Sequence, residues 1–206
     1  MRLTPLTYVA DTVNYYVNGV LQPKPAVTAG PPLVVSGLNI PAGGNILLVY
    51  ETKLNEYAPL AEEAEIKNTA SISGAGLTSV VVEETVQAVG KPVLTITKSV
   101  SPVPVTENGT LTYTFLIQNN GNTAAEEATA AIITDEFDPI LKNLTVSFNG
   151  TAWTEGVDYT YDETTGSFAT IAGKVTVPAA LYVQDPLTDI WITSPGISTL
   201  IVTGTV

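Results

Sequence analysis

The chain of 206 residues contains no cysteine and no histidine. Without thiols there is no disulfide, no iron–sulfur cluster and no cysteine nucleophile or zinc ligand, and without imidazole the commonest general base and metal ligand is missing. Charge is also scarce: 14% of the residues are Asp, Glu, Lys or Arg, with 8 basic against 20 acidic side chains. A net charge of −12 repels nucleic acid and anionic lipid, because phosphate binding needs clustered Lys and Arg. Nucleic acid is therefore excluded as a partner. The sequence has no apolar run of the ~18 residues that a membrane-spanning helix requires. The polar, alternating segment after Met1-Arg2 does not read as a signal peptide either.

What the sequence does have is strand chemistry. Thr, Val and Ile are abundant, and 16 Gly and 14 Pro punctuate the chain. In 94–125, Leu94, Ile96 and Lys98 alternate with Thr95 and Thr97, and Leu111, Tyr113, Phe115 and Ile117 alternate with Thr112, Thr114, Leu116 and Gln118. A period of two predicts half-buried β-strands. Further strands are expected at Leu33–Gly37, Ile46–Tyr50, Ser79–Val86, Val157–Tyr161, Ser167–Ile171, Lys174–Val177 and Ile190–Thr193. A helix or irregular turn is expected between Asn55 and Ala64. The pairs Asn18-Gly19, Asn108-Gly109 and Asn149-Gly150 read as tight hairpin turns, since both central residues of a type I′ turn need positive φ.

The order of Lys98, Asn108-Gly109, Leu111, Tyr113, Asn119-Asn120-Gly121-Asn122 and Thr134-Asp135 resembles the bacterial surface repeat catalogued as domain of unknown function eleven. The resemblance implies a β-sandwich module of extracellular or wall-associated proteins, and no catalysis. The fold class expected is all-β, with two Ig-like or prealbumin-like β-sandwich modules in tandem. A short linker around Ala88–Pro92 divides the chain into a partial module, 1–89, and a fuller one, 90–206.

Weak internal similarity ties the two halves together. Residues 13–19 resemble 144–150, and 41–49 resemble 195–202. On that alignment the first copy lacks opening strands equivalent to 94–135, and the second stops before strands equivalent to 65–72 and 79–86. Three explanations fit: a piece of a longer protein, a complete smaller sheet of about five strands in the first half, or strand complementation between neighbouring chains.

Chemically reactive candidates are few. Asp135, Glu136 and Asp138 supply oxygens that would suit calcium, although they lack the spacing of a recognised calcium loop. The resemblance makes Lys98 similar in position to a lysine that related surface sandwiches join to an asparagine through a spontaneous isopeptide bond. That chemistry needs Lys, Asn and an acid together in an apolar site. The partners it implies are Asn119 with Asp135, or alternatively Asn68 from the other module. Exposed Trp153, Trp191, Tyr15, Tyr16, Tyr159, Tyr161 or Tyr182 would suit a glycan or a host protein. No Ser-x-x-Lys motif and no evident pair of deep carboxylates is present, so an enzyme is not expected. No cofactor is expected beyond the calcium candidate. The sequence thus reads as a surface spacer, fibre subunit or adhesin, with other copies or neighbouring surface modules as partners.

Overall fold

A computed structural model describes residues 4–206 and is built almost wholly of β-strands. Its one helical element among the described residues is a 3-10 turn at Glu127–Thr129, and no helix is long and apolar enough to cross a membrane. The chain divides into two compact units. Unit 1 comprises Met1–Leu60, Ala64–Ala88 and Val183–Ile192, and unit 2 comprises Ala61–Glu63, Val89–Tyr182 and Thr193–Val206. The main division falls between Ala88 and Val89. Two short exchanges depart from the expected boundary: 61–63 belongs with unit 2 and 183–192 with unit 1.

Unit 1 contains β1 (Leu6–Tyr8), β2 (Asn14–Val17), β3 (Val20–Leu21), β4 (Ala26–Thr28), β5 (Val34–Ser36), β6 (Ile46–Val49), β7 (Thr52–Leu54), β8 (Glu65–Ile72) and β9 (Val80–Gln87). These pair as four small sheets, β1-β7, β3-β2-β6, β4-β5 and β8-β9. Among the described residues its buried apolar side chains are Val13, Tyr15, Ala58 and Ile66, a thin core for so many strands.

Unit 2 is a sandwich. It contains β10 (Leu94–Ser101), β11 (Thr110–Asn119), β12 (Thr134–Glu136), β13 (Lys142–Phe148), β14 (Thr151–Trp153), β15 (Tyr159–Asp162) and β16 (Ser167–Thr170). A hairpin, β17 (Leu181–Gln184) and β18 (Trp191–Ser194), whose residues 183–192 belong with unit 1, precedes the last strand of unit 2, β19 (Gly196–Thr205). One sheet runs β10-β11-β19-β13-β14 and the other β12-β16-β15. Alternation sends Leu111, Tyr113, Phe115 and Ile117 of β11 inward, together with Leu200 and Val202 of β19 and Val146 and Phe148 of β13. They meet Phe137, Phe168, Leu141, Val175 and Val177, all within 1% of complete burial. Phe137 lies at the centre, with ring centroids 4.8 Å from Tyr113 and 5.7 Å from Phe168. Burying each such side chain contributes about 1.5–3 kcal/mol.

Several sequence expectations are corrected here. Lys174–Val177 forms no strand; Val177 makes only an isolated bridge to Ala125, although Val175 and Val177 are both core residues. Residues between Asn55 and Ala64 take the second of the two forms expected, irregular turns in place of a helix. Asn108-Gly109 is not a two-residue hairpin, because only Asn108 has positive φ and a loop of 102–109 separates β10 from β11. Asn18-Gly19 and Asn149-Gly150 do have positive φ at both residues, as a type I′ turn requires.

The two asparagines of these turns make the same additional contacts. Asn18 donates its backbone N–H to Asn45 O and accepts from Asn45 N–H at its side-chain oxygen, both at 3.0 Å. Asn149 does likewise with Thr199, at 2.9 and 2.8 Å. The three-stranded set β3-β2-β6 therefore has the same turn and latch as β14-β13-β19.

Asn119 organises the end of the sandwich. It is wholly buried and opposite Gly196 in the β11–β19 ladder. Its carboxamide oxygen accepts from Val93 and Gly121 N–H, both at 2.9 Å, and its nitrogen donates to Thr123 O at 2.8 Å and Pro178 O at 3.0 Å. Asn119→Ala leaves these four backbone groups without their partner. It is expected to cost about 3 kcal/mol or more, measured by urea denaturation. The exposed loop change Glu107→Ala, as a control, is expected to change stability by less than ~0.5 kcal/mol.

Candidate functional site

Ladder register determines which charged side chains enter the sandwich. Lys98 lies opposite Phe115, so the inward alternation of β11 carries Lys98 inward from β10. Asp135 lies opposite Phe168 in the other sheet, which turns it inward from β12. Both β10 and β12 are edge strands of their sheets. Their inner faces therefore bring a lysine and an aspartate together at one lateral side of unit 2.

There the Lys98 ammonium pairs with Asp135 Oδ2. Its nitrogen also lies 4.6 Å from the Tyr113 ring centroid, 5.3 Å from that of Phe137 and 5.7 Å from that of Phe115. Each such cation–π contact is worth about 0.5–1 kcal/mol when partly exposed. Asp135 Oδ1 accepts the Glu136 N–H at 3.0 Å, while Oδ2 is shielded from water and finds no conventional hydrogen bond besides the ion pair. Burial, and then the negative charges of Asp135 and Asp138, push the Tyr113 hydroxyl above its usual pKa, so it stays protonated. The cluster is an ionic clamp lined by aromatic rings, joining the edges of two sheets.

The remaining site candidates fall elsewhere. Asn119 sits four residues further along β11 than Phe115, which is about 13 Å at strand rise. All of its hydrogen-bonding capacity is engaged with backbone, so unit 2 brings together Lys98 and Asp135 but not Asn119. Asn68 is exposed on β8, opposite Glu84 of β9. The calcium candidate is not assembled: alternation turns Glu136 to the outer face, Asp138 is exposed beyond Phe137, and Asp135 faces Lys98. Among the described residues no group of three or more His, Cys, Asp or Glu could hold a metal ion.

Most of the aromatic candidates are engaged in packing. Trp153 stacks on Phe148 at 4.8 Å, and Tyr159 and Tyr15 are buried. Trp191 donates its indole N–H to Tyr57 O, and the Tyr182 hydroxyl donates to Asn120 O. Tyr161 both donates to Leu141 O and accepts from Leu141 N–H, pinning the start of β13. The pinning role of Tyr161 and the ring box of Tyr113, Phe115 and Phe137 were not read from the sequence. The signal for the box was the inward phase that Lys98 shares with Leu94 and Ile96.

Two depressions, of about 330 and 390 Å³, mark the surfaces of the units. The first is lined by residues such as Tyr8, Val13 and Lys24, with Lys24 donating to Asp11 O at 2.7 Å. The second, near Asn149 and Ser198, has Glu126 as its one carboxylate. Neither presents two facing carboxylates. No protein family, curated protein or solved structure matches the chain.

Two consequences are measurable. In a double-mutant cycle of Lys98→Met and Asp135→Asn, each single change is expected to cost about 1–2 kcal/mol, with a coupling of about 1 kcal/mol by urea denaturation. Asp158 provides a pH signature. The Thr154 N–H at 2.9 Å, and then Lys174 at 3.0 Å, hold its carboxyl below the usual range. A depressed folded-state pKa stabilises above the ordinary carboxylate value, and that contribution is lost as pH falls through the folded value. Asp158→Asn is therefore expected to flatten the acid limb of a stability–pH curve below pH ~4 while leaving its shape near neutrality unchanged.

Proposed function

We propose that the chain is a non-enzymatic structural protein of a bacterial surface, serving as a spacer, fibre subunit or adhesin made of repeated β-sandwich modules. The observation that carries this reading is the use made of buried polar groups in unit 2. Asn119 holds four backbone groups, Ser198 donates to Thr176 O, Thr170 accepts from Ile133 N–H, and Lys98 with Asp135 ties two sheet edges. Each such group secures a strand or a loop of the sandwich. The repeated Asn–Gly turn and latch supports two related modules in tandem. The likeness of 94–135 to a surface repeat supports an extracellular place.

The alternative, a module binding glycans or host proteins through exposed Tyr and Trp, gains no support from aromatics that are mostly packed or hydrogen-bonded. Protease shaving tests the surface assignment. A glutamyl endopeptidase applied to intact cells of the producing organism is expected to release peptides ending at Glu107 or Glu163, both exposed between strands, while a cytosolic marker stays inside. Peptides recovered only after lysis would overturn the assignment.

A further inference from the structure

The lateral side of unit 2 that carries Lys98 is an unfilled place in a sandwich. On β11 the inward residues are 3–6% exposed, whereas on the neighbouring β10 the inward Ile96 and Val100 are 49% and 39% exposed. Lys98 between them is 37% exposed. Among the described residues β10 pairs only with β11 and β12 only with β16, so both strands bordering this side keep a free edge. An apolar inner face beside a free backbone edge is the setting in which a further strand adds.

Unit 1 contains a strand of matching character. The β8-β9 ribbon is eight residues per strand, as is β10, and among the described residues it pairs with nothing else. One face of β9 carries Val80, Val82, Glu84 and Val86, and the three valines are 55–64% exposed. The pattern Val82-x-Glu84-x-Val86 has the same spacing as Ile96-x-Lys98-x-Val100, with an acid where the other has its base. Antiparallel pairing places Val82 beside Val100, Glu84 beside Lys98 and Val86 beside Ile96. Cross-strand pairs of this kind each contribute about 0.2–1 kcal/mol.

We propose that β9 of one copy adds to the free edge of β10 of a second copy, with Glu84 meeting Lys98 between two apolar pairs. This rests on the structural reading above and supplies its mode of assembly. The donor and acceptor surfaces differ, so each copy offers one of each and copies join head to tail. The exposed valines and the uncovered Ile96 and Val100 are buried by the same event. The Lys98 ammonium, which directs one N–H to Asp135, gains a second carboxylate.

Light scattering across a concentration series of the intact chain tests the proposal, using two variants at exposed positions. Val82→Lys disables the donor strand and Ile96→Lys the acceptor. Each adds positive charge to a chain of net charge −12, so lost association cannot come from greater repulsion between copies. The wild-type mass is expected to rise beyond a dimer with concentration, and each variant alone to stay monomeric with an unchanged β circular dichroism spectrum. An equimolar mixture of the two variants is expected to stop at the dimer, because one intact donor then meets one intact acceptor. Glu84→Lys is expected to weaken wild-type association by about tenfold or more through its approach to Lys98. A wild-type monomer throughout, variants that associate like the wild type, or a mixture without dimer overturns the proposal. The first of these leaves a monomeric spacer intact as a reading, so the two failures are distinguishable.

Discussion

A single buried carboxamide sets the frame on which unit 2 depends. Asn119 closes the end of β11, and its four hydrogen bonds reach Val93 before β10, Gly121 and Thr123 after β11, and Pro178 ahead of the last hairpin. Taking that amide out of water is costly unless every donor and acceptor is met, and here every one is. The neighbourhood leaves no room for alternatives. A Cβ on Gly121 would strike the Lys91 and Val93 backbone, and one on Gly196 would strike the carbonyl of Pro178. Because the ladder register counts from this knot, it also decides that Lys98 points into the sandwich and Thr97 away from it.

The two units use similar local devices with unequal support. Both have an Asn–Gly turn latched to a neighbouring strand, and both have a tyrosine hydroxyl bridging a loop backbone: Tyr15 at Asn39 and Tyr161 at Leu141. In unit 2 these devices surround an aromatic and aliphatic core, where Phe137 touches Tyr113, Tyr161 and Phe168. In unit 1 the devices are present with, among the described residues, four buried apolar side chains beneath them. Apolar residues that a thicker core would have covered are spread over β3, β6 and β9. Unit 1 therefore derives less of its stability from burial and relies more on turns and short ladders.

The strands of the sandwich were legible because their alternation is regular. Leu111 to Ile117 announces an inner face, and Lys98 in phase with Leu94 and Ile96 announces an inward lysine. The Asn18-Gly19 and Asn149-Gly150 turns were legible from their φ requirement. Val175 and Val177 misled for an instructive reason, since they alternate like a strand and are buried like one but meet only a single bridging partner. Alternation reports burial and leaves ladder pairing unspecified. Asp135 meeting Lys98 depended on two registers in two different sheets, and no local pattern encodes such a meeting. The resemblance implies a reactive Asn119, whereas its four backbone partners, as many as 59 residues away in sequence, leave no local mark.

The placement of β10 and β19 on either side of β11 has a mechanical consequence. Both run antiparallel to β11 and so parallel to each other, with Leu94 and Gly196 at the Asn119 end and Thr205 at the Thr110 end. Tension applied where β10 begins and where β19 finishes acts along the strands, at right angles to hydrogen bonds that lie across them. The ladders are then loaded in shear, all rungs together, and cannot be peeled open one rung at a time.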